Sequence, residues 1–409
     1  MSTAPPGSSE DTATCCIVGG GPAGVMLGFL LARHGVDVLV LEKHRDFFRD
    51  FRGDTIHPST LEVLHELGLL AEFLRQPHQE VRGIQVHFAR RSVHIADFSH
   101  LPVRCPFVAF VPQWDFLNFL CAHARKFPGF RLRLETEATG LLEKSGRITG
   151  VRAKTPAGFL EIRAPLVIGA DGRGSIVRAA AGLEIVDLGA PIDVLWFRVS
   201  KKIDDPAQAF GFIDAGQFMV LIDRGDYWQC AYVIPKDGFE AKRARGLDSF
   251  RDDVARCATF LAGRTAEIRN WDEVKLLSVK VDRLRQWHRP GLLCLGDAAH
   301  AMSPVGGVGI NLAIQDAVAA ARMLGPKLRA GPVDEDDLAA VQARREGPTR
   351  STQRLQVFLH RHLLEPIFAS PEVIPPPLVL RLTERFPRLR RIPARLIGMG
   401  FGPEHLDHD

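Results

Sequence analysis

The sequence predicts an α/β fold: a helix-flanked parallel sheet, interrupted by β-rich insertions and followed by C-terminal helices. Three observations predict it. Cys15 to Glu42 reads as strand, glycine turn, helix and second strand. A second strand–loop–helix stretch, Gly291 to Leu324, lies nearly three hundred residues later. Between them, from about Pro191 to Val281, strand-like runs dominate with one helical stretch near Ser249 to Ala262.

Cys15-Cys-Ile-Val18 is an apolar run too short for a helix and bounded by glycine, as expected of a buried strand. Gly19-Gly-Gly21-Pro-Ala-Gly24 follows, then an apolar helix pattern from Val25 to His34 that Gly35 closes. Val36 to Leu41 is the second strand, and Glu42 stands at its tip. A glycine triplet at this spacing is weak alone; between two strands, with an acid about twenty residues on, it marks a dinucleotide-binding βαβ unit. An acid at that tip suits free ribose hydroxyls, hence FAD or NAD more than NADP. Lys43 shares the tip, as a further cofactor contact or a solvated strand end.

Pro58 to Leu74 is helical with a break at Gly68, and about Val81 to Phe110 alternates like β-strands. Trp114 to Lys126 forms a helix stopped by Phe127-Pro-Gly129. Strands follow near Phe130 to Leu134, Ala138 to Glu143 and Ile148 to Lys154, and Leu166 to Asp171 is another buried strand ending in an acid. In the distal stretch, Leu292 to Leu295 ends in Gly296-Asp297, Pro304 makes a turn, and Gly306-Gly-Val-Gly309 leads into a helix from Asn311 to Leu324. Such a loop brings bare backbone N–H groups to an electron-rich ligand at a helix N-terminus. After Leu324 the chain is helical, with breaks expected near Gly331 and Gly347. The tail from Leu378 to Gly400 carries six arginines against Glu384. Its simplest reading is a helix pair packed on the body; Pro387 and Pro393 weigh against a long membrane-surface helix.

Bulk properties exclude several classes. A chain of 409 residues, 46% apolar and 24% charged, is ordinary globular composition, and a formal charge of +4 does not suggest a nucleic-acid binder. Seven cysteines form neither a CxxC pair nor a zinc-like cluster, which fits a reducing compartment and no metal site. Met1 to Ala13 reads as a disordered lead-in, not a signal peptide. No window reaches the roughly eighteen apolar residues of a membrane span, so a cytoplasmic, soluble protein without stable membrane insertion is expected.

Three separated motifs stand in one order: Gly19-x-Gly21-x-x-Gly24 with Glu42; Gly169-Ala-Asp171-Gly-Arg-Gly-Ser175-Ile-Val-Arg178; and Gly296-Asp297-x-x-His300-x-x-x-Pro304-x-Gly306-Gly-x-Gly309-x-Asn311. Together they resemble the FAD-dependent aromatic hydroxylases, the single-component flavoprotein monooxygenases typified by para-hydroxybenzoate and ubiquinone-ring hydroxylases. The resemblance runs from about Cys15 to Leu324. It implies a Rossmann-like FAD-binding domain (14–76, 105–190 and 286–330), interleaved with a β-rich substrate domain (77–104 and 191–285) and followed by a helical region (331–409). Gly19, Gly21, Pro22, Ala23 and Gly24 would pass the FAD pyrophosphate over a helix N-terminus, and Glu42 would hold the ribose. Arg52 and Gln113 would lie against the flavin and its chain, and Ala138 against the adenine. Asp297 would bind a ribityl hydroxyl, and Gly306, Gly309, Ile310 and Asn311 would face the pyrimidine edge of the flavin. Asp171 and Arg178 match the fingerprint said to serve both FAD and transient NADH or NADPH.

By the same resemblance, reduced FAD would meet O2, form a C4a-hydroperoxide and hydroxylate an aromatic or quinol-type small molecule. Pro304 would line the flavin edge. From the β-rich region Trp196, Phe210, Phe212, Met219, Tyr232 and Ile234 are substrate-pocket candidates, although plain core packing explains each at least as well. No phenol-ionising base stands out beyond His57 or Tyr232, and His300 reads as structural. A flavin halogenase is disfavoured, because Cys230-Ala-Tyr232-Val-Ile234-Pro235 lacks the two tryptophans of the W-x-W-x-I-P motif. A prenyl-lipid reductase remains the other alternative. The motifs name neither the substrate nor the oligomeric state, and do not separate NADH from NADPH.

Overall fold

The computed structural model describes residues 9–48, 54–88, 91–206, 211–370, 372 and 375–406. A six-stranded sheet runs in the order His288–Arg289, Leu292–Cys294, Leu166–Gly169, Cys15–Val18, Val38–Leu41, Phe130–Arg133, parallel except at the 288–289 edge. Its central strands are buried on both faces, which is why they read as unbroken apolar runs. Helix Pro22–Arg33 packs between helices Gln113–Ala124 and Gly309–Ala330 on one face. A four-stranded sheet containing Glu137–Lys144, Arg147–Thr155 and Gly158–Arg163 lies beyond the sheet and shares its core.

The second body is a seven-stranded sheet, ordered Lys275–Ser278, Ile192–Ser200, Tyr227–Pro235, Gln217–Asp223, Gly211–Asp214, Gly83–Phe88, Arg91–Asp97. The early insertion joins it only from Gly83. Gln79–Val81, just before, pairs instead with Val108–Phe110, beside Thr55–Ile56. One face of the large sheet packs on helix Leu247–Cys257 and the turn Thr259–Glu267; the other is covered by residues 363–368 and by Val305 of the glycine loop. Among the described residues no helix is long and apolar enough to cross a membrane. All seven cysteines are free and buried.

Two expectations are corrected. Ser9–Thr12, part of the expected disordered lead-in, is a strand parallel to Gly158–Arg163, and Asp11 anchors it to Arg131 at 3.0 Å and Arg133 at 2.8 Å. The expected break at Gly347 is absent: helix Glu335–Leu359 runs through Gly347 and Pro348. Buried Arg345, Gln353 and Gln356 fix that stretch by tertiary hydrogen bonds that override local propensity.

Candidate functional site

At the proximal loop the glycines divide by role. A Cβ on Gly19 (φ +110°) would stand 2.3 Å from the Ala170 carbonyl oxygen, and one on Gly24 would stand 1.9 Å from that of Gly19. These two let helix and strands approach. A Cβ on Gly21 would meet nothing within 4 Å, so its backbone faces open space at the mouth of the helix, which Pro22 begins. Ala23 is buried behind it. The carboxylate of Glu42 accepts the N–H of Gly20 at 3.1 Å and of His44 at 3.0 Å, so backbone donors aim it. The Glu42 carbonyl binds the Thr136 N–H, which brings Ala138 beside the tip. Lys43, His44, Glu135 and Glu137 line an open polar groove of about 660 Å³ there.

The distal loop is built from further away. Gly306 (φ +82°) and Gly307 (φ +63°) turn the chain in a conformation that disfavours side chains, and a Cβ on Gly307 would meet the Thr55 hydroxyl at 2.5 Å. Thr55 donates that hydroxyl to the Gly307 carbonyl at 2.9 Å. Asn311 is buried and staples both segments: its carbonyl accepts the His57 N–H (2.8 Å) and the Thr60 hydroxyl (2.7 Å), and its amide donates to the Thr55 carbonyl (3.0 Å). Its side chain therefore shapes the loop, leaving only its backbone and that of Gly309 and Ile310 at the helix start. A Cβ on Gly309 would meet nothing within 4 Å, so this end too opens on space. Gln113 begins helix Gln113–Ala124 and donates its N–H to Asp54 at 3.3 Å. Arg224, from a turn of the large sheet, pairs with the same buried Asp54 and ties the two bodies together. Arg52 lies outside the described residues, as does Phe210.

The middle motif turns inward. Asp171 accepts the Ser175 hydroxyl at 2.5 Å and the Val177 N–H at 3.2 Å, and burial pushes its carboxyl up. Arg178 is buried, bound to Asp282 at 3.1 Å and to the Arg173 carbonyl at 2.5 Å. Both hold the turn. The cation of this motif that is only half-buried is Arg173, a residue the sequence reading did not single out although it stands inside the motif. Its Nη2 donates to Asp297 at 3.1 Å, while Nε and Nη1 are buried without a hydrogen-bond partner. An unsatisfied guanidinium beside an acid at the strand tip, with open glycine backbone at both loops, fits a cofactor carrying hydroxyls and phosphates.

Several pocket candidates are corrected by strand parity. Phe212, Met219, Tyr232 and Ile234 point to the helical layer, the face opposite Val305. The Tyr232 hydroxyl accepts from Lys242 at 3.2 Å and burial drives its pKa well up, so it is no base. Trp196 does face the glycine-loop side, together with Val194, Val220, Ala231 and Val233. These smaller residues were missed because both faces of the strands are apolar. His57 is buried, with Nδ1 donating to the Ile397 carbonyl at 2.7 Å, and burial lowers its pKa to about 4. That is too weakly basic to ionise a phenol of pKa about 10. His300 binds Asp316 at 2.6 Å and is structural, as expected.

Pro304 is held from behind by the C-terminal helix. Gln356 accepts the Ser303 N–H (3.0 Å) and donates to the Ser303 (2.9 Å) and Val305 (3.1 Å) carbonyls. Gln356→Leu is expected to cost about 1–3 kcal/mol in urea unfolding, since the Ser303 N–H stays buried and unpaired.

A family model described as "FAD binding domain" matches residues 11–351. The chain is 34% identical to a 6-methylpretetramide 4-monooxygenase of Streptomyces rimosus, over 96% of this chain and 93% of that one. A rifampicin monooxygenase of Streptomyces venezuelae is 30% identical over 74% of this chain but only 61% of its own length. The crystal structure of PqsL, a probable FAD-dependent monooxygenase from Pseudomonas aeruginosa, superposes with a TM-score of 0.74 at 24% identity, over 88% of this chain and 99% of that one; this likeness concerns fold. On this family match and this full-length similarity, the chain belongs to the FAD-dependent aromatic hydroxylases, and it is a flavoprotein monooxygenase.

Proposed function

We propose that this enzyme hydroxylates a polycyclic aromatic of the polyketide type, taking electrons from NADH or NADPH and oxygen from O2. The observation that carries the reading is the apolar sheet face of Val194, Trp196, Val220, Ala231 and Val233, which meets the glycine loop at Val305. A flat, largely apolar ring system is complementary to that face, and the cover of residues 363–368 and Val305 would have to give way to admit one beside the flavin edge. The relative matched over nearly the full length of both chains is named for 6-methylpretetramide, and that name supports the same substrate class.

The chemistry supplied by FAD when bound is hydride acceptance, O2 activation and delivery of one oxygen atom. The protein's part is placement. Gly19 to Gly24 take the pyrophosphate at the start of helix Pro22–Arg33, and Glu42 takes the ribose. Ala138 and Lys43 border the adenine end. Arg173 and Asp297, paired at 3.1 Å, would lie beside the ribityl chain, and Gln113 and the backbone of Gly306 to Asn311 would border the ring. The N-terminus of helix Gly309–Ala330 favours negative charge on the pyrimidine edge of the flavin. The sheet face excludes water from the reacting carbon and orients it. Neither His57 nor Tyr232 moves a proton in this scheme; an electron-rich ring that needs no ionisation by a side chain fits best.

Purified protein is tested anaerobically with NADH or NADPH against polycyclic phenols, simple phenols and prenylated quinols. The expected result is faster flavin reduction with a polycyclic phenol, then a product carrying one oxygen atom from labelled O2. Double-bond saturation without O2, or a bromide-dependent product, would move the activity to the reductase or the halogenase.

A further inference from the structure

We infer that the outward face of the C-terminal tail docks peripherally on an anionic membrane surface. Helices Leu378–Arg385 and Arg391–Gly398 flank a short turn, Pro387–Arg390. The inner side of this tail is fixed to the body: the Thr383 hydroxyl meets the His94 carbonyl at 3.1 Å, and Gly398 packs against Leu101, Pro58 and Phe98. The outer side is apolar and basic at once. Leu378 is 67% exposed, Phe386 55% and Ile392 59%. Arg381, Arg385, Arg388, Arg391 and Arg395 are exposed, and none has an ion-pair partner among the described residues. Glu384, the single acid between 378 and 400, is held by Arg91 at 2.5 Å. Along Leu378–Arg385 the apolar Leu378 and Leu382 and the basic Arg381 and Arg385 recur four residues apart, as two adjacent rows.

The prolines do not prevent this. Pro387 opens the turn, and Pro393 sits in the first turn of the last helix, where a missing N–H removes no helical bond. The body holds each short segment in place, so no long free helix is needed. Charge selects the occupant. A second copy of this face would bring two sets of unpaired arginines together. An anionic bilayer interface neutralises the guanidinium groups and takes up the apolar tips between them. No described helix spans a bilayer, so the contact is peripheral and reversible.

The test is co-sedimentation of the FAD-loaded full chain with phosphatidylcholine vesicles, with and without phosphatidylglycerol. Binding is expected only with phosphatidylglycerol, and to be released by salt. Each basic residue near such a surface strengthens partition roughly fivefold. Arg381→Gln/Arg385→Gln/Arg388→Gln/Arg391→Gln together should then weaken it on the order of a hundredfold or more, with FAD content and melting unchanged. Phe386→Ser/Ile392→Ser should weaken it roughly tenfold without changing the salt dependence. Three results overturn the inference: no preference for phosphatidylglycerol, a dimer that the Phe386→Ser/Ile392→Ser variant dissociates, or capture by an acidic protein with vesicles ignored.

Discussion

Gly309→Val is expected to yield an apoprotein that unfolds like the wild type but binds FAD at least a hundredfold more weakly. Gly309 has no left-handed backbone to protect, and a Cβ there touches nothing within 4 Å. Valine at the first position of a helix costs the fold only a fraction of a kcal/mol, on the order of its propensity difference. On the proposed placement of the flavin, its methyl groups instead fill the space between the ring and the backbone N–H groups. Loss of two such charge-assisted hydrogen bonds is worth roughly 3 kcal/mol, or about a hundredfold in affinity. Gly24→Ala is the control: its Cβ would fall 1.9 Å from the Gly19 carbonyl oxygen, so it should damage the apoprotein itself. Titration of FAD by fluorescence quenching, with urea unfolding of both apoproteins, separates the two outcomes. Equal loss of stability in both variants would mean that the Gly309 face is packing and not a cofactor cradle.

That contrast also marks what the sequence makes legible. Cys15–Val18, Val38–Leu41 and Leu166–Gly169 are short, wholly buried and punctuated by glycine, so their order and the acids at their tips can be read directly. The large sheet is different. Along Tyr227–Pro235, Trp228, Cys230, Tyr232 and Ile234 face the helices, while Ala231 and Val233 face the glycine loop. Both faces are apolar, so alternation carries no sign of which one meets the cofactor, and the larger side chains belong to the wrong face. Strand Ser9–Thr12 carries no periodicity at all; Arg131 and Arg133, more than a hundred residues on, hold it. Arg173 stands within the Gly169–Arg178 motif, but only its two unpartnered nitrogens distinguish it from a solvated turn residue. What sequence leaves open is therefore the direction of side chains set by distant partners.

Arg345→Met should cost about 3–5 kcal/mol of stability and weaken FAD binding as well. Arg345 is wholly buried within helix Glu335–Leu359 and donates to Asp316 at 2.9 Å and to Glu404 at 3.3 Å. Asp316 also accepts from His300 at 2.6 Å and from the Gly296 N–H at 3.2 Å, so one carboxylate sets the turn that presents Asp297. Burial alone would raise the Asp316 carboxyl; His300 and Arg345 outweigh it and hold it below the ordinary 3.8. A depressed folded pKa adds stability that is present above the unfolded value and lost as pH falls through the folded one. In the wild type this share of acid unfolding therefore falls below pH 3.8, whereas in Arg345→Met protonation of Asp316 begins at higher pH and the acid limb moves up. Methionine fills part of the guanidinium's volume but leaves Asp316 buried with one cation fewer. The double variant Arg345→Met/Asp316→Asn removes that stranded charge and should recover part of the loss, a coupling that a double-mutant cycle measures directly. Additive losses, with an unshifted acid limb, would mean that Asp316 draws its charge compensation from His300 alone and that the C-terminal helix does not control the cofactor loop through Arg345.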